Sequence, residues 1–535
     1  MTDPAPHPGP ENHDDELAAT VRAGYAFEGA ALELGRLADG PDRVTDVDVR
    51  IPLAMLNRHG LVTGATGTGK TKTLQLLAEQ LSAAGVPVFA ADMKGDLSGI
   101  AGPGEQGDKV QARARAVGQD WQPTGFPAQF FAIGGQGEGL PLRATISSFG
   151  PLLLSKVLGL NKTQESSLAL VFHYADQAGL PLLDLADLRA VVQHLLSDEG
   201  KPELKALGGL AASTAGVILR ELVALAAEGG DAFFGEPELD TADLLRHDPD
   251  GRGVVSLVEL PALQDRPRIF STFLMWLLAD LFNELPEVGD TEKPELVFFF
   301  DEAHLLFEDA SPDFLEAITR TVRLIRSKGV GIFFVTQTPT DVPDEVLGQL
   351  GSRIQHQLRA HTPKDAKALK ATVQTFPHSA YDDLGEVITS LTVGEAVVTV
   401  MDERGAPTPV ARTLLRAPES LMGPITADAL QGVVASSALR SKYADPVDRE
   451  SAREVLAQRL EAGAAKAEAE AEAGQAGRAE APTGGRASYP RKRSGATERE
   501  KESAVEQVLK SDAAKLFMRT AAREIARGVF RVGRR

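Results

Sequence analysis

The sequence predicts an α/β protein built on a mostly parallel, doubly wound sheet, and three observations predict it. Gly64, Ala65, Thr66, Gly67, Thr68, Gly69, Lys70 and Thr71 spell a complete G-x-x-x-x-G-K-T loop between the apolar pair Leu61 and Val62 and the helical pattern of Leu74, Leu76, Leu77 and Leu81. Two further apolar runs, Val86 to Asp92 and Leu296 to Phe300, lead into charged residues, as strands do at the ligand-binding edge of open α/β sheets. Strand-like runs alternate with helical patterns, and that alternation builds parallel sheets covered by helices on both faces.

Taken in order, residues 1–20 are rich in Pro and acidic side chains and read as disordered. Residues 21–105 and 250–420 read as the core. Tyr25 to Leu37 and Val44 to Pro52 are short strands leading into the loop, and Val86 to Asp92 is a buried strand ending in the charged cluster Asp92, Lys94 and Asp96. Residues 106–249 read as a largely helical insertion, with helices at Leu152 to Gly159, Gln164 to Ala178, Leu185 to Leu196 and Ala206 to Ala227. The Ala- and Leu-rich last of these is a candidate interaction surface, although core packing is its plainer use. Strands return at Gly253 to Leu260, Leu296 to Phe300, Gly331 to Thr336, Arg353 to Leu358 and Glu395 to Met401. Residues 421–500 form a partly low-complexity linker that includes the run AAKAEAEAEAGQAGRAEAP. Residues 501–535 read as a basic amphipathic helix, with Leu516, Phe517, Ile525 and Phe530 opposite Lys515, Arg519, Arg523, Arg527 and Arg531. Such a helix suits a partner, a membrane surface or nucleic acid, and docking on its own protein or a neighbouring subunit equally well.

A chain of 535 residues that is 43% hydrophobic buries a large core, as one domain with an insertion or two domains with tails. It contains no cysteine, which excludes disulfides, thiolate zinc sites and cysteine nucleophiles. Met1 to Glu16 lacks the basic and apolar regions of a signal peptide. The apolar stretch Ile269 to Ala279, bounded by Arg268 and Asp280, is far short of the roughly 18 residues a membrane-spanning helix needs. The expectation is a soluble, cytoplasmic protein with no integral membrane segment. The net charge of -19 argues against a uniformly basic nucleic-acid binder, but residues 481–535 carry 14 Lys and Arg against 6 Asp and Glu. Contact with a polyanion would therefore be local.

The loop brings its own chemistry. Glycines let the backbone fold around an anion, and its amides at a helix N-terminus favour phosphate. Lys70 would reach the β- and γ-phosphates of a nucleotide and the Thr71 hydroxyl would ligate Mg²⁺. In the apolar strand ending at Phe300, the following Asp301 would hold Mg²⁺ through water and Glu302 would polarise the water attacking the γ-phosphate. His304 is as readily structural as functional. Gln337, after the strand Gly331 to Thr336, would bond the γ-phosphate or the attacking water, the alternative being a capping glutamine. Arg320, Arg323 and Arg326 recur along a helix and Arg353 opens a strand. One of them would serve as an arginine finger across a subunit interface, with Arg353 preferred, although most such arginines are solvated or salt-bridged. The letters DEAH suggest a two-lobed helicase, but the chain has one phosphate loop and one acidic strand, and its next motif is Val335-Thr336-Gln337 rather than Ser-Ala-Thr. A single lobe would have to build shared sites between the subunits of a ring.

The stretches RHGLVTGATGTGKTKTLQ, ADMKGDLSG, VFFFDEAHLLF and GIFFVTQTPTDVPDEVLGQLGSRIQHQLRA together resemble the HerA/FtsK division of P-loop ATPases, and more narrowly the YjgR group of HerA-like proteins. AGYAFEGAALELG, GPLLLSKVLGLNKTQESSL and VGEAVVTVMDERGAPTPV are similar to the same group, so that the likeness covers roughly residues 20–420. The resemblance implies a RecA-like core with an added strand between those carrying the loop and the two acids, a hexameric ring as the usual assembly, and ATP hydrolysis with Mg²⁺. Lys70, Thr71, Asp301, Glu302 and Gln337 fall on the matching motif positions. In members of proven activity it implies DNA translocation. The chain departs from them in a short region before the loop and in lacking a visible membrane anchor or winged helix.

Three functions follow. The first is an ATP-driven ring motor on DNA, with Lys94 and Lys109 as isolated candidates for pore-facing charge. The second is a nucleotide-gated switch or scaffold controlling a protein partner. The third is a pump-like ATPase that moves protein without DNA.

Overall fold

The computed structural model describes residues 10–40, 43–135, 137–260, 267–307 and 312–479. Its strands are β1 Ala31–Ala38, β2 Val44–Pro52, β3 Gly60–Thr63, β4 Val88–Asp92, β5 Ala128–Ile133, β6 Leu140–Leu142, β7 Val255–Glu259, β8 Leu296–Phe300, β9 Val330–Thr336, β10 Ser352–Gln355, β11 Glu395–Thr399 and β12 Ala411–Leu415. They form one sheet in the order β2-β1-β12-β11-β10-β3-β9-β8-β4-β7-β5-β6. From β10 to β6 every neighbouring pair is parallel, and from β10 to β2 every pair is antiparallel. This is the mostly parallel, RecA-like arrangement, and β9 is the strand that stands between the loop strand β3 and the acidic strand β8.

Burial on both faces explains why β8 reads LVFFF without a polar break. Side chains alternate across a strand, so Phe298 and Phe300 enter the core on one face while Val297 and Phe299 enter the core on the other. Ring centroids lie 4.9 Å apart between Phe89 and Phe298 and 5.4 Å apart between Phe299 and Phe333, which locks β8 between β4 and β9. One face is covered by Leu74, Leu77 and Leu81 of the helix that follows the loop, and the other by helices including Lys162–Gln177, Leu185–Leu196, Ala212–Leu225 and Pro267–Glu284. Capping boxes at Asn161 with Gln164 and at Asp184 with Asp187 start two of these helices where the sequence turns. Ala215, Ile218, Leu222 and Leu225 of the Ala- and Leu-rich helix are buried, so its apolar face is core.

Four expectations need correcting. Part of the start read as disordered is helix: α1 spans Pro10–Gly24, and Val21 and Tyr25 at its end are buried, with the Tyr25 hydroxyl donating to the carbonyls of Val398 and Pro409 at 3.1 and 3.0 Å. The strand expected from Tyr25 starts at Ala31. Residues 106–249 are not simply helical, because β5 and β6 extend the parallel sheet beyond β7. Within the linker expected at 421–500, helices Ala427–Ser436 and Arg440–Tyr443 are ordered, with Tyr443 buried in the core. The described residues divide into two units, one up to residue 458 and one from residue 459 onward. In the second, the described residues 459–479 belong to helix Ala452–Ala479, and the basic helix expected at 501–535 lies outside the described residues.

Candidate functional site

β3 delivers the chain into the loop at the middle of the sheet. The Gly64 amide donates to the Gln337 carbonyl at 3.1 Å and the Ala65 amide to the Gln357 carbonyl at 2.9 Å, so the loop is slung between the ends of β9 and β10. Gly64, Gly67 and Gly69 have φ of +153°, +82° and +116°, values that L side chains rarely adopt. A Cβ on Gly64 would also stand 2.5 Å from the Cβ of His356. Thr68 turns its hydroxyl onto the Ala65 carbonyl at 2.8 Å, while Thr66 and Gly67 form the exposed tip. Helix α2, Lys70–Ala83, then begins with Gly69 at its cap position and no side chain on its first amides. Those donors are what an anion would meet. The Lys70 ammonium lies in the loop, donating to the carbonyls of Gly64 at 2.6 Å and Ala65 at 3.2 Å. Burial pushes its pKa down, opposed by Glu302 and Asp301 and reinforced by the neighbouring Lys94. Thr71 follows as the second residue of α2.

Across β9, the tip of β8 presents the two acids. Asp301 is 3% exposed, and burial first, then the charge of Glu302, push its carboxyl up to about 7. Glu302 has φ of +48°, a left-handed conformation that is strained for a side chain of this size. The next amide, Ala303, donates to the Val335 carbonyl at 2.8 Å and pins the turn to β9. Glu302 Oε1 accepts from Lys94 Nζ at 2.5 Å, and His304 Nδ1 lies 3.3 Å from Oε2. Asp301 Oδ2 and Glu302 Oε2 are buried oxygens with no hydrogen-bond donor. With the Thr71 hydroxyl, these hard oxygen donors suit Mg²⁺, which takes one or two protein oxygens and fills its shell with water and phosphate. Among the described residues, no cluster of three or more His, Cys, Asp or Glu would hold a metal by protein ligands alone.

Gln337 sits at the tip of β9, exposed, with its main chain on the loop through Gly64. Arg353 is not brought into this group. It stands in β10 opposite Leu61 and Thr399, near the start of β3 rather than its loop end, and its guanidinium donates to the Thr375 carbonyl. Arg320 and Arg323 are exposed on helix Pro312–Ile325, and Arg326 lies 3.9 Å from Asp290.

Several residues here escaped the sequence reading. His356 is fully buried under the loop, its Nε2 2.9 Å from Thr73 Oγ1, and burial together with the Lys70 charge pushes its pKa down to about 4, so the ring is neutral at physiological pH. Lys94, named above as a candidate for pore-facing charge, donates to Glu302 within the chain. Asp92 makes that placement, since its carboxylate accepts the amides of Lys94, Gly95 and Leu97 at 3.1, 2.7 and 2.9 Å. Beside Gly69 opens a cleft of about 290 Å³, lined by the cations of Lys72, Lys109, Arg113 and Arg416 and by the apolar side chains of Val393, Leu415 and Met422. Lys109 and Arg113 come from helix α3, Asp108–Val117. Arg113 staples the cleft wall by donating to the carbonyls of Gly394 at 2.9 Å and Val393 at 3.0 Å, and the Gly394 amide in turn donates to the Thr68 carbonyl at 3.3 Å. A signal existed for Lys94 alone, in the charged cluster after β4.

The family model described as Helicase HerA-like C-terminal matches residues 39–535. A search of the curated proteins found no match. Among solved structures, the bacterial conjugative coupling protein TrwB is similar at 14% identity and a TM-score of 0.48, over 76% of this chain and 94% of that one. TrwB in complex with ADP and Mg²⁺ gives 16% identity and a TM-score of 0.46, over 74% and 100%. VirB4 of Thermoanaerobacter pseudethanolicus gives 17% identity and a TM-score of 0.46, over 73% and 97%.

Proposed function

The chain belongs to the helicase HerA-like C-terminal family, and on that premise we propose that it is a Mg²⁺-dependent ATP hydrolase that assembles into a ring and works as a motor on DNA. The observation that carries the hydrolase is that the loop bearing Lys70 and the acids Asp301 and Glu302 emerge at the same edge of the sheet, from parallel strands separated only by β9. In this reading the backbone of Gly64 to Gly69 cradles the phosphates, and Lys70 leaves the Gly64 and Ala65 carbonyls to bind the β- and γ-oxygens. Thr71 and Asp301 would hold Mg²⁺, which would supply positive charge to the phosphates. Glu302 orients and polarises the attacking water, and Gln337 bonds that water or the γ-phosphate. The nucleoside end lies in the cleft beside Gly69, its base between the apolar walls and its α-phosphate near Lys72. Arg353 as a finger would exchange the Thr375 carbonyl for a neighbouring subunit's γ-phosphate.

The test is steady-state ATP hydrolysis with and without linear single- and double-stranded DNA, at two salt concentrations, beside two variants. Lys70→Ala is expected to weaken nucleotide binding, and Glu302→Gln to bind ATP while losing turnover by on the order of 10² to 10⁴. Normal hydrolysis by Glu302→Gln would overturn the assignment. DNA stimulation that weakens with salt and vanishes in the variant supports the motor. Turnover indifferent to DNA removes the motor and favours a nucleotide-gated switch acting on a protein partner. Sedimentation with and without nucleotide tests the ring.

A further inference from the structure

The ammonium of Lys94 lies on the group that is to prepare the attacking water. Its contact with Glu302 Oε1 is 2.5 Å, and the glutamate side chain is only 12% exposed while the lysine is 43% exposed. An ammonium on Oε1 in a poorly solvated site holds the carboxylate in one orientation and lowers its basicity toward a water molecule, while Oε2 is left without a donor. The contact is built by the fold rather than by chance encounter of two flexible side chains. Asp92 clamps the three amides of Lys94, Gly95 and Leu97, Gly95 turns the chain at φ of +75°, and β4 runs parallel to β8 with Ala91 opposite Phe300. Glu302 is fixed by its left-handed backbone and by the Ala303 to Val335 hydrogen bond. β9 alone separates β8, which carries Glu302, from β3, which carries the Lys70 loop, so the Lys94 ammonium on Glu302 belongs to the same sheet edge as the loop.

We propose that Lys94 is a partner-exchanging residue: it restrains Glu302 in the arrangement seen here and passes to the γ-phosphate when a nucleoside triphosphate binds, which frees the Glu302 carboxylate for water. This rests on the nucleotide reading above. A diphosphate lacks the competing anion, so it leaves the Lys94–Glu302 pair in place and the site inactive. The exchange makes Lys94 a discriminator between triphosphate and diphosphate within a single subunit, and any displacement of the Met93–Ser98 loop by a neighbouring molecule would reset it.

The test separates binding from turnover. Affinities for ADP and for a non-hydrolysable ATP analogue are measured by competition against a fluorescent nucleotide in the full-length wild type, Lys94→Met, Lys94→Arg, Glu302→Gln and the Lys94→Met/Glu302→Gln pair. Loss of a charge-assisted contact to the γ-phosphate is expected to cut the triphosphate-to-diphosphate preference about tenfold in Lys94→Met, with ADP affinity unchanged and the preference recovered in Lys94→Arg. Glu302→Gln releases Lys94 and is expected to raise triphosphate affinity severalfold, an effect that should disappear when Lys94 is already Met. An unchanged preference in Lys94→Met overturns the exchange, and if kcat rises at the same time, Lys94 is a brake on Glu302 and nothing more. Failure of the nucleotide reading shows separately, as absence of ATP hydrolysis by the wild type.

Discussion

At Asp301 the protein has withdrawn solvent from the carboxylate that the proposed function assigns to a cation. Its pKa of about 7 against an ordinary 3.8 means that, between those values, the folded chain binds a proton the unfolded chain has lost. Stability must therefore decline as pH rises from about 4 to about 7, the reverse of a salt-bridged aspartate. Glu79, also raised to about 7 by burial despite accepting the amides of Glu419 and Ser420, adds a slope of the same sign. In Mg²⁺-free buffer, urea midpoints of the wild type are expected to fall between pH 5 and pH 8, and those of Asp301→Asn to fall less, the remainder coming from Glu79 and from other carboxyls that burial raises, such as Asp92 and Asp280. A wild type that gains stability over this range would contradict the burial argument. The loop, Lys70, Thr71, Asp301 and Glu302 were legible in the sequence because each belongs to a motif contained in a few consecutive residues. The contacts of Lys94, His356 and Arg113 were not, because their partners lie 208, 283 and 280 residues away along the chain. No local pattern encodes such a meeting.

The element that joins these residues is α2. Its first residue enters the loop, Leu74, Leu77 and Leu81 fill one core, and Gln75 and Glu79 grip the segment 419–421, which follows the cleft residue Pro418 and precedes Met422. Glu79→Gln keeps the shape but replaces one acceptor by a donor facing an amide. It is expected to cost about 1–3 kcal/mol in stability and to weaken nucleotide binding more than kcat, which denaturation and kinetics on one preparation would distinguish. Arg113→Ala removes the staple on Val393 and Gly394 and is expected to raise KM severalfold with little change in kcat. An effect confined to kcat would mean that the cleft does not hold the nucleoside. At this scale the aromatic strands β8 and β9 were plain, whereas β5, β6 and β12 were overlooked. β6 has three residues, and β12 places Arg412 in a strand where it pairs with the fully buried Glu395 at 3.0 Å, a polar interruption that hides the strand periodicity. The start of α1 was hidden for another reason, since its sequence PENHDDELAATVRAG is polar along most of its length and, among its described side chains, Val21 is the buried one.

For the whole molecule, charge and topology make separate statements. A net charge of -19 with 14 Lys and Arg concentrated in residues 481–535 places any salt-sensitive grip on DNA in that segment or in a small local patch. Deleting residues 481–535 is expected to leave nucleotide affinity within twofold and to flatten the salt dependence of DNA binding. Unchanged salt dependence would move the contact to the body of the protein. The fold class was readable from alternation and one motif, but the width of the sheet was not, because its antiparallel half offers no comparable signature. That width has a consequence for time. β3 is the sixth of twelve strands, bonded on both sides by parallel neighbours and buried throughout, while the loop it carries ends in the exposed tip Thr66 and Gly67. In hydrogen exchange the amides of β3 would open only with the entire sheet, and those of the tip within the ordinary breathing of the native state. Loading and emptying the site would thus run on a fast clock, and loss of the scaffold beneath it on a slow one.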